Sequence, residues 1–478
     1  MLTFKKSRTL QFITSIFHSI HSQITSNPRI SLFIFSLSLV QLLIFCSPFP
    51  PPPAPVSLPS PAHGKCEEGK VYVYKLPTMF NSDLVGTCED LDPWHWQCGV
   101  ATNGGYGTTA TELAGIIPEN LLQAWHRTNQ FSSEIIFHNR ILKHKCRTME
   151  PESATVFYIP FYAGLAVGKY LFTDSSNDER DFHAVELIKW VQMQRYWRRS
   201  NGSDHVIVLG RITWDFRRLT DPEKRWGSTF LNMPEMQTVT RFTIERAPGD
   251  YHDVGIPYPT GFHPRSISDI RTWQNFIRTY NRTSLFTFVG AAREDVGDDI
   301  RGLLLQTCRN ESVSGTCRVV DCAVTPCANG SSAIMESLLG SEFCLQPRGD
   351  SFTRRSVFDC MIAGAVPVLF WNRTMYDQYE WYLPEEPESY SVFIDHDDVS
   401  VGRKSIKGVL ENYSKEVVKK MRERVIEIIP KIVYSHYEES NNGGMKDAFD
   451  IAVDGVLRRF KAERDERRRE SDVNVPVN

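Results

Sequence analysis

Hydrophobic and polar positions change period several times along the chain. Lys70 to Lys75 (KVYVYK) alternates β-branched and aromatic residues with polar ones and reads as the first strand of a globular body. Glu89 to Gly107, dense in aromatics, glycine and cysteine, fits no regular element and predicts a structured loop. Apolar residues at helical spacing predict helices over Thr109–Thr128 and Asp181–Arg198, whereas ATVFYIP (Ala154–Pro160) and HVIVLG (His205–Gly210) are short apolar runs of buried-strand type. The pattern restarts after Asn281, with a strand at Leu285–Gly290 and a helix at Asp298–Cys308. Strands then follow at Phe343–Gln346, Ala365–Phe370 and Val392–Ile394, the first two separated by a helix over Arg354–Ala363. Helices at Lys415–Val433 and Met445–Arg468 close the chain. Strands alternating with helices imply βαβ units and mainly parallel sheets, hence the α/β class. The restart implies two such units, in keeping with 478 residues, more than one hydrophobic core usually organises.

The N-terminus follows a different logic. Ile30 to Cys46 carries no charge and is just long enough to span a bilayer. Before it stand Lys5, Lys6, Arg8 and Arg29 with no acidic residue, which keeps the N-terminus cytoplasmic and predicts a type II signal-anchor. A cleaved signal peptide is the alternative; the long charged lead and the lack of a small-x-small cleavage site favour the retained anchor. Pro48 to Pro61 (PFPPPPAPVSLPSP) reads as an extended, semi-rigid stem. The expected divisions are a cytoplasmic tail at 1–29, a transmembrane anchor at 30–46, a stem at 47–69, α/β units at 70–280 and 281–460, and a charged tail at 461–478.

Composition narrows the class. With 41% hydrophobic and 23% charged residues and a net charge of -3, the chain is globular and gives no sign of a nucleic-acid partner; Arg217 with Arg218 and Arg467 to Arg469 read as solvated surface. Ten cysteines beyond Cys46 fit disulfides in an oxidising lumen. Cys308, Cys317, Cys322 and Cys327 lack the paired CxxC spacing and the histidine that zinc would favour, and the disulfide pairing stays open. Six N-x-S/T sequons, at Asn201, Asn281, Asn310, Asn329, Asn372 and Asn412, all follow the anchor and point to the secretory route.

The densest chemical signal is SEFCLQPRGDSFTRRSVFDCMIAGAVPVLF, Ser341 to Phe370, read as strand, tight loop, helix, turn and strand. Gly349 allows close backbone approach, Ser351 and Thr353 supply hydroxyls, and Arg354 and Arg355 stand at the helix start, where free N–H groups and the helix dipole favour an anion. Asp359, four residues after Arg355, faces the same side, to accept from ribose hydroxyls or to pair with Arg355. At the carboxyl end of a strand, this loop is a candidate diphosphate site.

This segment, with DHVIVLGRITWDFRR and GIPYPTGFHP, resembles the exostosin signature of glycosyltransferase family 47, and within it the plant xyloglucan galactosyltransferase clade of KATAMARI/MURUS type. The resemblance runs from Lys70 to about Phe460. It implies a GT-B-like fold of two Rossmann-like domains facing a cleft, the donor bound mainly by the C-terminal one, with inversion at the anomeric carbon and no obligatory metal or cofactor. It further implies UDP-galactose as donor, the xylosyl side chains of xyloglucan as acceptor, and residence in the Golgi membrane in the company of other Golgi glycosyltransferases. Galacturonic acid or another UDP-sugar, and a silent scaffold partner of an active transferase, are the alternatives. PRG stands where the clade has PPG, so Arg348 is a further candidate donor contact. Inversion needs a general base from the opposite domain, for which Asp215, or Asp253 with His252, are candidates; each has a structural alternative as an arginine partner or turn residue. Trp94, His95, Trp96 and Trp214 are candidate sugar-stacking aromatics. Asp395, Asp397 and Asp398 in FIDHDDVS read as an exposed turn rather than a metal triplet.

Overall fold

The computed structural model describes residues 66–478 apart from 92–97, 172, 220–225, 294–299, 326, 328–331, 437–444 and 474–478. The expected tail, anchor and most of the stem therefore lie outside the described residues, as do Trp94, His95, Trp96 and the sequon at Asn329.

Thirteen strands are described: β1 Val71–Val73, β2 Thr108–Thr109, β3 His126–Arg127, β4 Arg147–Thr148, β5 Val156–Ile159, β6 His205–Leu209, β7 Thr240–Thr243, β8 Asp253–Gly255, β9 Ser284–Gly290, β10 Cys317–Asp321, β11 Ser341–Gln346, β12 Val366–Leu369 and β13 Val392–Phe393. They form a six-stranded sheet in the order β4-β1-β5-β6-β7-β8, a five-stranded sheet in the order β10-β9-β11-β12-β13, and the antiparallel pair β2-β3. Every pairing within the two larger sheets is parallel. β5, β6 and β12 are buried along their whole length, as strands covered on both faces must be. The apolar residues fall into three clusters. One lies on the far face of each sheet, and a third is continuous from Val71 and Phe242 of the first sheet through Phe358 to Phe449 and Phe460. The two parallel sheets of this α/β fold are thus bound through a shared core.

The sequence pattern differs from the fold in particular places. Thr109–Thr128 is not a helix: it forms the β2-β3 pair with 3-10 turns at Thr111–Leu113 and Glu119–Ala124. Gly115 adopts a positive φ of 82° and Pro118 has no N–H to donate, so an α-helix cannot run through them despite the apolar spacing. The helix expected at Asp181 starts at Asn177, where Ser176 and Glu179 form a capping box, and stops at Gln192. Asp395 accepts from the N–H of Asp397 and caps a short helix, His396–Ser400. The last helix, Ala448–Val473, continues into the expected charged tail. It also returns to the first sheet's side, where Phe449 meets Phe137 at 5.2 Å between ring centres and Asp447 pairs with Arg140 at 2.7 Å.

All ten described cysteines are paired, as Cys66–Cys146, Cys88–Cys98, Cys308–Cys317, Cys322–Cys327 and Cys344–Cys360. Four of them resolve the cluster that zinc could have claimed.

Candidate active site

In the second sheet the strand order reverses between β9 and β11, the point at which open parallel sheets leave a crevice beyond their carboxyl ends. A cavity of 660 Å³ opens there, with Val289, Gln346, Gly349 and Ser351 on its wall. Its opposite wall comes from the first half, through Gln130, Phe131, Arg211 and Asp215. The cleft therefore joins two loop systems far apart in sequence.

The loop after β11 is shaped by close contacts of its own backbone. A Cβ on Gly349 would stand 2.2 Å from the carbonyl oxygen of Thr353, so no other residue fits without moving the loop. Thr353 does not offer its hydroxyl to the cavity as expected. Its N–H and hydroxyl both donate to Oε2 of Glu245, at 2.8 and 2.7 Å, and its oxygen lies 3.0 Å from the Tyr258 hydroxyl. The Arg348 side chain is exposed and turned over the Trp371 ring, outside the cavity wall, while its carbonyl accepts from Arg301 at 3.1 Å.

Arg354 and Arg355 differ in setting. Arg355 donates to the Thr128 carbonyl at 2.6 Å and pairs with Asp359 at 3.2 Å, so it is held between the halves. Burial pushes the Asp359 carboxyl up, against the pull of Arg355 and Arg354. Among the described residues Arg354 donates to the carbonyls of Pro347 and Val289, at 3.4 and 3.2 Å. Desolvation and the neighbouring Arg301 and Arg293 push its guanidinium down to about 9, a large departure for an arginine. Asp350, itself 78% exposed, pairs with Arg293 and, at 3.8 Å, with Arg301. Three arginines thus converge on one wall, with Asp350 and Asp359 beside them among the described residues, a positive field of the kind that favours an anion. Arg293 and Arg301 lie outside the segment that sequence motifs singled out; Arg301 carries no signal beyond its place on a helix behind β9.

On the facing wall Asp215 receives Nε–H of Arg211 at 2.7 Å, and Arg211 stacks on Phe131 at 4.3 Å. Asp215 is the one first-half carboxylate on the cavity wall among the described residues. Behind it lies Glu134, which sequence reasoning missed. Its Oε1 accepts from the N–H groups of Gly164 and Gly210 at 2.7 and 2.8 Å, and its burial raises the carboxyl to about 8. His126 also lines the cavity, and burial pushes its imidazole down to about 4, so that it is neutral. Asp253 and His252 are not on that wall. Asp253, fully buried, accepts from Arg241, from Arg217 at 3.2 Å and from the Ala247 N–H at 3.0 Å, a network that neutralises charges beneath the sheet edge. His252 sits beside it, its pKa lowered by burial and by Arg241. Both belong to a structural ion network rather than to the cleft.

Trp214, 54% exposed, neighbours Asp215 but is not part of the cavity wall, whereas Trp125 and Trp226 are. Among the described residues the one three-group cluster with metal-ligand spacing is Asp395, His396 and Asp397, away from the cavity lining. Asn201, Asn281, Asn310, Asn372 and Asn412 are all exposed.

The family model of the exostosin GT47 domain matches residues 65–410. The chain is 50% identical over 501 aligned positions to xyloglucan galactosyltransferase XLT2 of Arabidopsis thaliana, covering 96% of each. It is 40% identical to xyloglucan-specific galacturonosyltransferase 1 of the same plant, over 83% of this chain and 58% of that one. Xyloglucan galactosyltransferase MUR3, also of Arabidopsis thaliana, is 40% identical over 82% of this chain and 62% of its own length. The chain thus spans nearly all of the first relative and less than two thirds of the other two.

Proposed function

This chain belongs to the exostosin GT47 family, and from that premise we propose that it transfers galactose from UDP-galactose to xylosyl side chains of xyloglucan, with inversion, in the building of the plant cell wall. The observation that carries the reading is the convergence of Arg293, Arg301 and Arg354 at the reversal point of the second sheet, inside the cleft. There they would bind the donor diphosphate and stabilise the charge that grows on UDP as the bond to the sugar breaks. Arg355 and Asp359 border the same space and would orient the nucleoside end.

The acceptor hydroxyl oxygen attacks the anomeric carbon from the side facing the first half, the bond from that carbon to the UDP oxygen breaks, and the hydroxyl proton passes to Asp215. Arg211 fixes the Asp215 carboxylate for that step. Residence in the Golgi membrane through the N-terminal apolar run is supported by the charge asymmetry around that run, by the paired cysteines and by the exposed sequons.

The test incubates the full chain, solubilised in detergent, with xyloglucan oligosaccharide and UDP-galactose or UDP-galacturonic acid, with and without EDTA, and reads product mass. A galactose increment unaffected by EDTA is the expected result, with Arg354→Ala lowering kcat/KM by at least about a hundredfold. Wild-type turnover by Arg354→Ala would remove the arginine cluster from the donor site. A uronic-acid increment alone would change the sugar and keep the mechanism, and no product with either donor would favour a silent partner.

A further inference from the structure

The donor loop is held in shape by a side chain that no motif marks. Glu245 follows β7 by two residues, in the first half, and is 4% exposed. A carboxylate buried to that degree is unfavourable unless its oxygens are satisfied, and Oε2 receives both the N–H and the hydroxyl of Thr353, 108 positions away. The Tyr258 hydroxyl, also from the first half, meets the same Thr353 oxygen at 3.0 Å. Thr353 in turn governs the loop, since its carbonyl fills the space that a side chain on Gly349 would need, and Arg354 is the next residue.

We propose that Glu245 is a positioning residue: from the first half, it sets the loop of the second half that presents Arg354 to the donor diphosphate. The inference rests on the reading of that loop as the donor site. Glu245 is not itself on the cavity wall; it acts through Thr353, which is. Its neighbours explain why the effect is local. Ile244 offers its carbonyl to the Tyr379 hydroxyl at 2.8 Å, and the Arg246 N–H donates to Oε1 of Gln378 at 2.8 Å. The segment stays clamped between the halves by those two contacts when the Glu245 side chain is removed, while Thr353 loses the acceptor that orients it.

The experiment measures UDP affinity by calorimetry, the KM values for UDP-galactose and xyloglucan oligosaccharide, and the melting temperature, on the full chain and on Glu245→Ala and Glu245→Gln. Loss of two hydrogen bonds to one charged acceptor should weaken UDP binding and raise the donor KM by at least about tenfold in Glu245→Ala. The acceptor KM should stay within about twofold, because no contact on that side changes. Glu245→Gln, whose amide oxygen can still accept from Thr353, should recover most of the donor affinity. If Glu245→Ala does not fold, Thr353→Val, which removes only the hydroxyl arm, must show the same donor-selective loss. Unchanged UDP affinity in these variants overturns the inference. So does an equal rise in both KM values together with a lowered melting temperature, the pattern of general destabilisation. Failure of the unmodified chain to bind UDP would overturn the donor-site reading, and this inference with it.

Discussion

Glu134 shows how a single residue can carry charge behaviour that its sequence neighbours do not announce. It stands in SSEIIFHNR at the start of the helix Ser133–Ile141, where an acid usually serves the helix dipole in solvent. Here it is buried against the ends of the first sheet. Gly164 and Gly210 bring their N–H groups to it, and a Cβ on Gly210 would meet the Phe131 carbonyl at 2.5 Å. Among the described residues its Oε2 is buried without a hydrogen-bond partner, so ionisation would place in the core a charge that the two N–H groups and Arg211 offset only in part. The folded pKa of about 8 lies above the ordinary 4.5. The native state therefore holds a proton that the unfolded state has released, and stability falls as pH rises from about 4.5 to 8 and levels off above it. Glu134→Gln should flatten that part of the stability curve, an effect of a few kcal/mol across the window. Urea unfolding of both proteins at pH 5, 6.5 and 8 measures it, and equal slopes would place the titration elsewhere. The sequence marks the arginine pair after the loop but cannot mark this carboxyl, because burial of Glu134 depends on glycines 30 and 76 positions away.

At the scale of elements, the strand, loop and helix from Ser341 to Ile362 were legible, since the apolar run, the Gly-containing turn and the helical spacing are local signals. Gly349 was read as a point of close approach, and it is one, although the backbone it approaches is its own loop's. Gly349→Ala should leave the melting temperature within a few degrees while UDP affinity falls by about tenfold or more, because the loop must move and Arg354 with it. UDP-induced thermal stabilisation reads this directly; a full shift in the variant would show that the loop tolerates the side chain. The helix expected over Thr109–Thr128 failed for an equally physical reason, as the apolar spacing outweighed Gly115 and Pro118 in the reading but not in the fold. Short strands such as β7 and β8 went unseen because Arg241 and Asp253, charged and fully buried, break the apolar run that marks a central strand.

At the scale of the molecule, the chain closes on itself. Cys66 at the start of the described body is bonded to Cys146, 80 positions on, and Lys461 of the last helix pairs with Glu68 at 3.1 Å. Crosslinking a loop of that length restricts the unfolded chain by about 4 kcal/mol. The double variant Cys66→Ser, Cys146→Ser should accordingly melt several degrees lower while retaining UDP affinity, because neither cysteine touches the cleft. An unchanged melting temperature would mean that the last helix alone holds that end. The return of this helix to the first sheet also explains why a division of the chain at a single point does not capture its packing: Phe449 and Arg140, 309 positions apart, are 4.5 Å from ring centre to guanidinium.

The α/β class, two successive runs of parallel strands, the loop after β11 and the cysteine chemistry were determined by the sequence itself, because period, turn residues and covalent reactivity act over a few neighbouring positions. The tertiary structure decided which charges meet. It chose Asp215 over Asp253 for the cleft, gave Arg354 two arginine neighbours, engaged Thr353 with Glu245, and buried Glu134. Those outcomes rest on contacts between segments 30 to more than 200 positions apart, where burial and electrostatic field depend on how two sheets pack and on nothing that neighbouring residues encode.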